Sequence, residues 1–323
     1  NRRIISNSKA NAQKIMSKSK AEKKADKIAQ KKSEQKMRKR EKKAKEELKK
    51  REKESKKQKG KSKKSKKPDF HDGFVKTYIP GFDSLLGDGI PAGSAVLVEG
   101  GPGSGKTIFC LNLAKTMCQT GKKVLYMSFE EKEEKLKKHL TSFGAKTEEY
   151  EKKGLLYVKR FNALDISRSV EALLSEAKKE LLIDVQPVLI PPEFEPDIVL
   201  VDSLSSIASA FSGESSRFRI YMEQLFRYLE NHDITSFLVR EVANPTHTGN
   251  TFVEEGEAVS FLSDGIIVLY NVFHRGGYRE RAVEVLKMRG SEIDRKIVEC
   301  KIIKGKGIIV NPKKILKGDY ILT

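Results

Sequence analysis

Eight consecutive residues, Gly100, Gly101, Pro102, Gly103, Ser104, Gly105, Lys106 and Thr107, have the types and spacing to hold a polyphosphate. They fit the pattern G-x-x-x-x-G-K-[ST]. The pattern has a physical basis: successive backbone N–H groups must curl around phosphate oxygens, and glycine makes such turns without a Cβ in the way. Lys106 is expected to reach the β- and γ-phosphates as a point charge, and Thr107 to place its hydroxyl on Mg²⁺. A helix opening at Gly105 would add its positive dipole end. Ile108, in the first turn of that helix, completes the expected set of nucleotide contacts.

Such chemistry also needs a second holder for the metal and a group to activate water. Ile198-Val199-Leu200-Val201-Asp202 is an apolar run that ends in an acid. It would set Asp202 at the C-terminal end of a central strand, where open α/β sheets bind ligands. Ser128-Phe129-Glu130-Glu131 ends another expected strand. A carboxylate there could orient and deprotonate the attacking water, although adjacent acids at a helix start are also ordinary dipole compensation. Leu286-Lys287-Met288-Arg289 alternates, so Lys287 and Arg289 share one side of a strand. That side reads either as a cationic pair for phosphate or as a solvated face.

The elements that must position these groups alternate in type. The spacing predicts strands over 94–99, 123–129, 155–161, 197–202 and 234–239, and helices over 107–119, 131–143, 166–182 and 217–230. After Gly265 the pattern turns to consecutive strands, 266–273, 280–288, 296–303 and 307–310. Alternation followed by strands predicts an α/β fold, a mostly parallel sheet flanked by helices with an antiparallel C-terminal extension. Residues 208–219 and 243–256 read as polar loops, with His247 a solvated residue rather than a metal ligand.

Five ordered motifs together resemble a KaiC-type ATPase, a branch of the RecA-like phosphate-loop superfamily. They are Thr77-Tyr78-Ile79-Pro80-Gly81-Phe82-Asp83, Gly89-Ile90-Pro91-Ala92-Gly93-Ser94, the phosphate loop, Ser128-Phe129-Glu130-Glu131, and Leu286-Lys287-Met288-Arg289-Gly290. The resemblance covers roughly residues 74–310. It implies a RecA-like core that binds ATP with Mg²⁺ and forms hexameric rings with nucleotide between subunits. It also implies that Glu130 and Glu131 are the catalytic glutamate pair. In the same way, Lys287 and Arg289 would be cations that reach the γ-phosphate in the neighbouring subunit, a device that makes turnover depend on assembly. Arg240 stands where the family often has a small polar residue; it could sense phosphate or pair with an acid. A ring-forming ATPase is the leading expectation. A nucleotide-gated scaffold with little turnover, and a DNA-processing ATPase resembling RadA recombinases or replicative helicases, are the alternatives.

Charge divides the chain of 323 residues, whose net charge is +20. Residues 1–67 carry 30 Lys and Arg against 8 Asp and Glu, whereas residues 68–323 carry 34 against 36. The expected division is therefore a Lys-rich tail over 1–67, too polar to bury a core, and one ATPase domain over 68–323. The tail has no aromatic residue, so it lacks the means for base stacking. It is expected either to act as a spacer or to bind DNA, RNA or another anionic partner without sequence preference. Deleting residues 1–67 should then lower DNA affinity at low salt, and unchanged affinity would remove that reading. Three cysteines without metal-like spacing, and no apolar run near the roughly 18 residues a membrane span needs, predict a cytoplasmic protein.

Overall fold

The computed structural model describes residues 73–168, 190–191, 194–211, 215–242, 245 and 257–323. The Lys-rich tail, most of the expected helix over 166–182, and the loop over 243–256 apart from Pro245 lie outside the described residues.

One large sheet organises the described residues. Its centre is β3 (Ala95–Gly100), a fully buried run, as expected of a strand covered on both faces. On one side β3 pairs in parallel with β7 (Thr235–Glu241), then β6 (Ile198–Asp202), β4 (Val124–Ser128) and β5 (Leu156–Arg160). On its other side β3 pairs in parallel with β8 (Gly265–His274). There the sheet turns antiparallel through β9 (Arg279–Met288), β10 (Val298–Ile303) and β11 (Gly307–Ile315). A short last strand, β12 (Tyr320–Leu322), pairs with β8 at residues 272–274, beyond the reach of β3. The small pair β1 (Phe74–Val75) and β2 (Ile90–Pro91) stands apart from this sheet.

Period-two alternation sorts side chains to two apolar cores. Val96 and Val98 face the core that holds Phe109, Leu113 and Met117 of α1 (Lys106–Gln119), with Leu136 and Leu140 of α2 (Glu133–Ser142). The same core takes Tyr150 of α3 (Thr147–Lys152). Leu97 faces the other, with Leu204 and Ile207 of α4 (Leu204–Ala210) and Met222, Leu225 and Leu229 of α5 (Ser215–Asn231). The result is a mixed, mostly parallel sheet between helical layers, with an antiparallel C-terminal extension.

The segment 208–219 departs from the expected loop, because α4 ends at Ala210 and α5 starts at Ser215. A capping serine explains the first helix: Ser203 Oγ accepts the Ser206 N–H. Expected strand and helix boundaries elsewhere move by a few residues at most, and α3, α4, β1, β2 and β12 are too short to read from periodicity. The last expected strand, 307–310, runs on to Ile315.

Candidate functional site

Between the end of β3 and the start of α1 the chain makes a tight hollow. A Cβ on Gly100 would lie 2.2 Å from the Leu269 carbonyl oxygen, so only glycine lets the strand end pass β8 there. Gly105, at φ 110°, caps α1 in a conformation that favours glycine. Lys106 is buried and bends back, donating from Nζ to the carbonyls of Gly100 at 3.0 Å and Gly101 at 2.9 Å. The Ser104 N–H donates to Gly101 O at 3.3 Å. Ser104 Oγ is buried with no hydrogen-bond partner among the described residues. A glycine-rich turn closed over a buried ammonium fits an anion with several acceptor oxygens.

Acids converge on the same end of the sheet. Ser128 and Asp202 are cross-strand partners at the ends of β4 and β6. Asp202 Oδ2 accepts from Tyr126 at 2.7 Å, and Thr107 stands near enough to its carboxylate to favour the charged form. Burial pushes the Asp202 carboxyl above its ordinary range; the Tyr126 and Thr107 hydroxyls pull it back, and the charges of Glu130 and Glu131 push it further up. Thr107 and Asp202 thus bring hard oxygen donors together, the chemistry Mg²⁺ prefers.

The two glutamates part company. Glu130 Oε1 accepts from Ser203 Oγ at 2.6 Å and Ser206 Oγ at 2.8 Å, beside Asp202. Glu131, which precedes α2, instead reaches toward that helix, with Oε1 2.6 Å from Lys135 Nζ and Oε2 3.9 Å from His139 Nδ1. Its backbone N–H is held by Ser128 Oγ at 3.0 Å.

Arg240 settles into a pair with an acid. Its Nη2 lies 2.9 Å from Oε1 of the fully buried Glu99, its direct partner across β7 and β3. Both are on the face opposite α1. Glu241, the next residue, must face α1, and its Oε1 stands 3.5 Å from Lys106 Nζ. Sequence reasoning singled out Arg240 and passed over Glu241. The period-two rule, continued from Val239 in the α1-side core, carries the signal that would have found it.

Lys287 and Arg289 lie elsewhere. Lys287 pairs with Ile266, and Gly265 pairs with Val96 at the start of β3. They therefore sit at the end of the sheet opposite the phosphate loop, about 13 Å away along β3 by strand rise alone. Within the chain they close the C-terminal end of α6 (Glu257–Leu262). Lys287 Nζ donates to the carbonyls of Ser260 at 3.0 Å and Ser263 at 2.5 Å. Arg289 Nη2 donates to Phe261 O at 2.9 Å, and Nη1 is 3.4 Å from Asp264. Burial, then the Arg289 charge, lowers the Lys287 ammonium below its usual range, with Asp264 opposing. The pair borders an open cavity of about 430 Å³ shared with Ser291, Glu292 and Arg295.

The family model described as "ATPase: KaiC" matches residues 75–315. The chain belongs to the KaiC ATPase family. Among KaiC relatives, the circadian clock oscillator protein KaiC of Thermostichus vulcanus is 30% identical over 233 residues, 72% of this chain and 41% of that protein. The chain thus spans well under half of the length of that clock protein. A UPF0273 protein of Pyrococcus horikoshii is 32% identical, covering 77% of this chain and 98% of its own length. A solved KaiC-like protein from P. horikoshii aligns with a TM-score of 0.57 and 26% identity, over 74% of this chain and 99% of that one. The KaiC-family match takes in the phosphate loop, both glutamates, Asp202, Lys287 and Arg289. Among the described residues no helix is long and apolar enough to cross a membrane.

Proposed function

We propose that this KaiC-family chain binds and hydrolyses ATP. The carrying observation is the convergence of Lys106, Thr107, Asp202 and Glu130 at one end of the sheet. On binding, phosphate oxygens replace Gly100 O and Gly101 O as acceptors for Lys106. Thr107 and Asp202 would hold Mg²⁺, whose charge would neutralise the β- and γ-phosphates. Glu130, fixed by two serine hydroxyls, orients the attacking water and takes its proton. The division into a basic tail over 1–67 and an ATPase domain over 68–323 is part of the same reading.

Assembly belongs to the proposal too. Lys287 and Arg289 are too far from their own phosphate loop to serve it, which favours service to a neighbour in a ring, hexameric by likeness to the family. They would exchange the carbonyls at the end of α6 for the neighbour's γ-phosphate. Light scattering with Mg²⁺ and a slowly hydrolysed ATP analogue should show a nucleotide-dependent oligomer. Arg289→Ala should lower turnover about a hundredfold or more, in line with cationic fingers in general, with ATP binding kept. Mixing it with a Glu130→Gln chain should restore part of the activity, because each supplies what the other lacks. A monomer under both conditions, or no rescue on mixing, would leave the ring without support and favour a nucleotide-gated scaffold.

A further inference from the structure

The outer side of the phosphate loop is held by the antiparallel extension. Asn271 of β8 donates from Nδ2 to the Pro102 carbonyl at 3.1 Å. Arg281, its cross-strand partner on β9, directs Nε and Nη2 to the Gly103 carbonyl, each at 3.4 Å. Asn271 is itself pinned: its N–H donates to Thr323 O at 2.8 Å, and its carbonyl accepts from Thr323 N at 3.0 Å. Thr323 also lies against the loop, since a Cβ on Gly101 would come within 3.2 Å of its carbonyl carbon.

The tip of the loop needs such an anchor. Gly103 sits at φ 75°, and a Cβ there would meet nothing within 4 Å, so side-chain packing does not fix its orientation. A trans peptide points its C=O and N–H in opposite directions. Holding the Pro102 carbonyl out toward Asn271 therefore turns the Gly103 N–H the other way, into the hollow. The Arg281 contact fixes the next peptide, whose Ser104 N–H closes the turn onto Gly101 O. Preset donors cost less to order when an anion arrives.

We infer that Asn271, assisted by Arg281, is a positioning residue that presets the phosphate loop for nucleotide. The role rests on the nucleotide site proposed above. It is tested on the full chain with a fluorescent ADP analogue, alongside thermal unfolding without nucleotide and steady-state kinetics. Asn271→Asp keeps the shape but sets a carboxylate oxygen against the Pro102 carbonyl. It should weaken binding about tenfold or more and raise KM, with kcat at saturating ATP nearly unchanged. Asn271→Ala should lose less, because it removes the donor without adding repulsion. Unfolding temperature without nucleotide should stay that of the wild type in both. Wild-type affinity in Asn271→Asp would overturn the role, as would an affinity loss matched by a general loss of stability. A wild-type chain that fails to bind the analogue would overturn the nucleotide site itself, and this role with it.

Discussion

Lys106→Ala is expected to weaken ATP and ADP binding by about two orders of magnitude or more. Lys106 is the ammonium aimed into the hollow of the loop, and its present acceptors are two loop carbonyls. Without it, phosphate oxygens would enter a site whose nearby side chains include Asp202, Glu130 and Glu241, all acidic. Truncating one partner of a buried, hydrogen-bonded charge pair costs about 2–5 kcal/mol, and each 1.4 kcal/mol is about tenfold in affinity. Titration calorimetry reads the change directly. A melting curve taken in parallel checks that the empty protein survives the loss of two loop hydrogen bonds. Unchanged affinity would mean that the glycine-rich loop is only a turn between β3 and α1.

Glu130→Gln is expected to lower kcat by about 10²–10⁴, the usual worth of a positioned general base, while ATP affinity stays within a few-fold. Glutamine keeps the shape and can still accept from Ser203 and Ser206, but cannot take a proton from water. Glu131→Gln should cost about tenfold or less, because its carboxylate is engaged with Lys135 of α2. Single-turnover hydrolysis with prebound ATP separates the chemical step from binding. The reverse order of effects would assign the proton transfer to Glu131, and equal losses would mean that nucleotide draws both carboxylates to the water.

Whereas a catalytic role for Glu130 and Glu131 comes only from the resemblance to the family, the phosphate loop and Asp202 stand out in the sequence as local signals, a fixed spacing and an apolar run ending in an acid. The parallel core was legible for the same reason: runs such as Ala95–Val98 and Ile198–Val201 are apolar on both faces, and only a doubly covered strand needs that. Side-chain direction at strand ends was harder to read. Nothing local distinguishes Glu130 from Glu131; the difference comes from Ser203 and Ser206, which lie more than 70 residues away and cap a helix too short to show periodicity. Asn271 and Arg281 were invisible for a related reason. Their contacts with the loop depend on the antiparallel register of β8 and β9, and alternation alone does not fix which residues of two strands face each other. Glu99 is an acid at the end of an apolar run, and only the pairing of β3 with β7 shows Arg240 beside it.

That ion pair has a wider consequence. Because Glu99 cancels Arg240 on the far face of the sheet, Arg240 adds no net field beneath the phosphates. Glu131 is likewise answered by Lys135. Around the hollow this leaves Glu130, Asp202 and Glu241 against Lys106 and, on the outer side of the loop, Arg281, so acids still outnumber cations. Bare nucleotide would carry like charge toward like charge. Nucleotide that arrives already partnered by a divalent cation would meet an attractive pocket, since the cation answers both its phosphates and Asp202. If the hollow takes nucleotide as proposed, the excess of acid would act as an admission filter, favouring the metal complex over the free polyphosphate before any bond is broken.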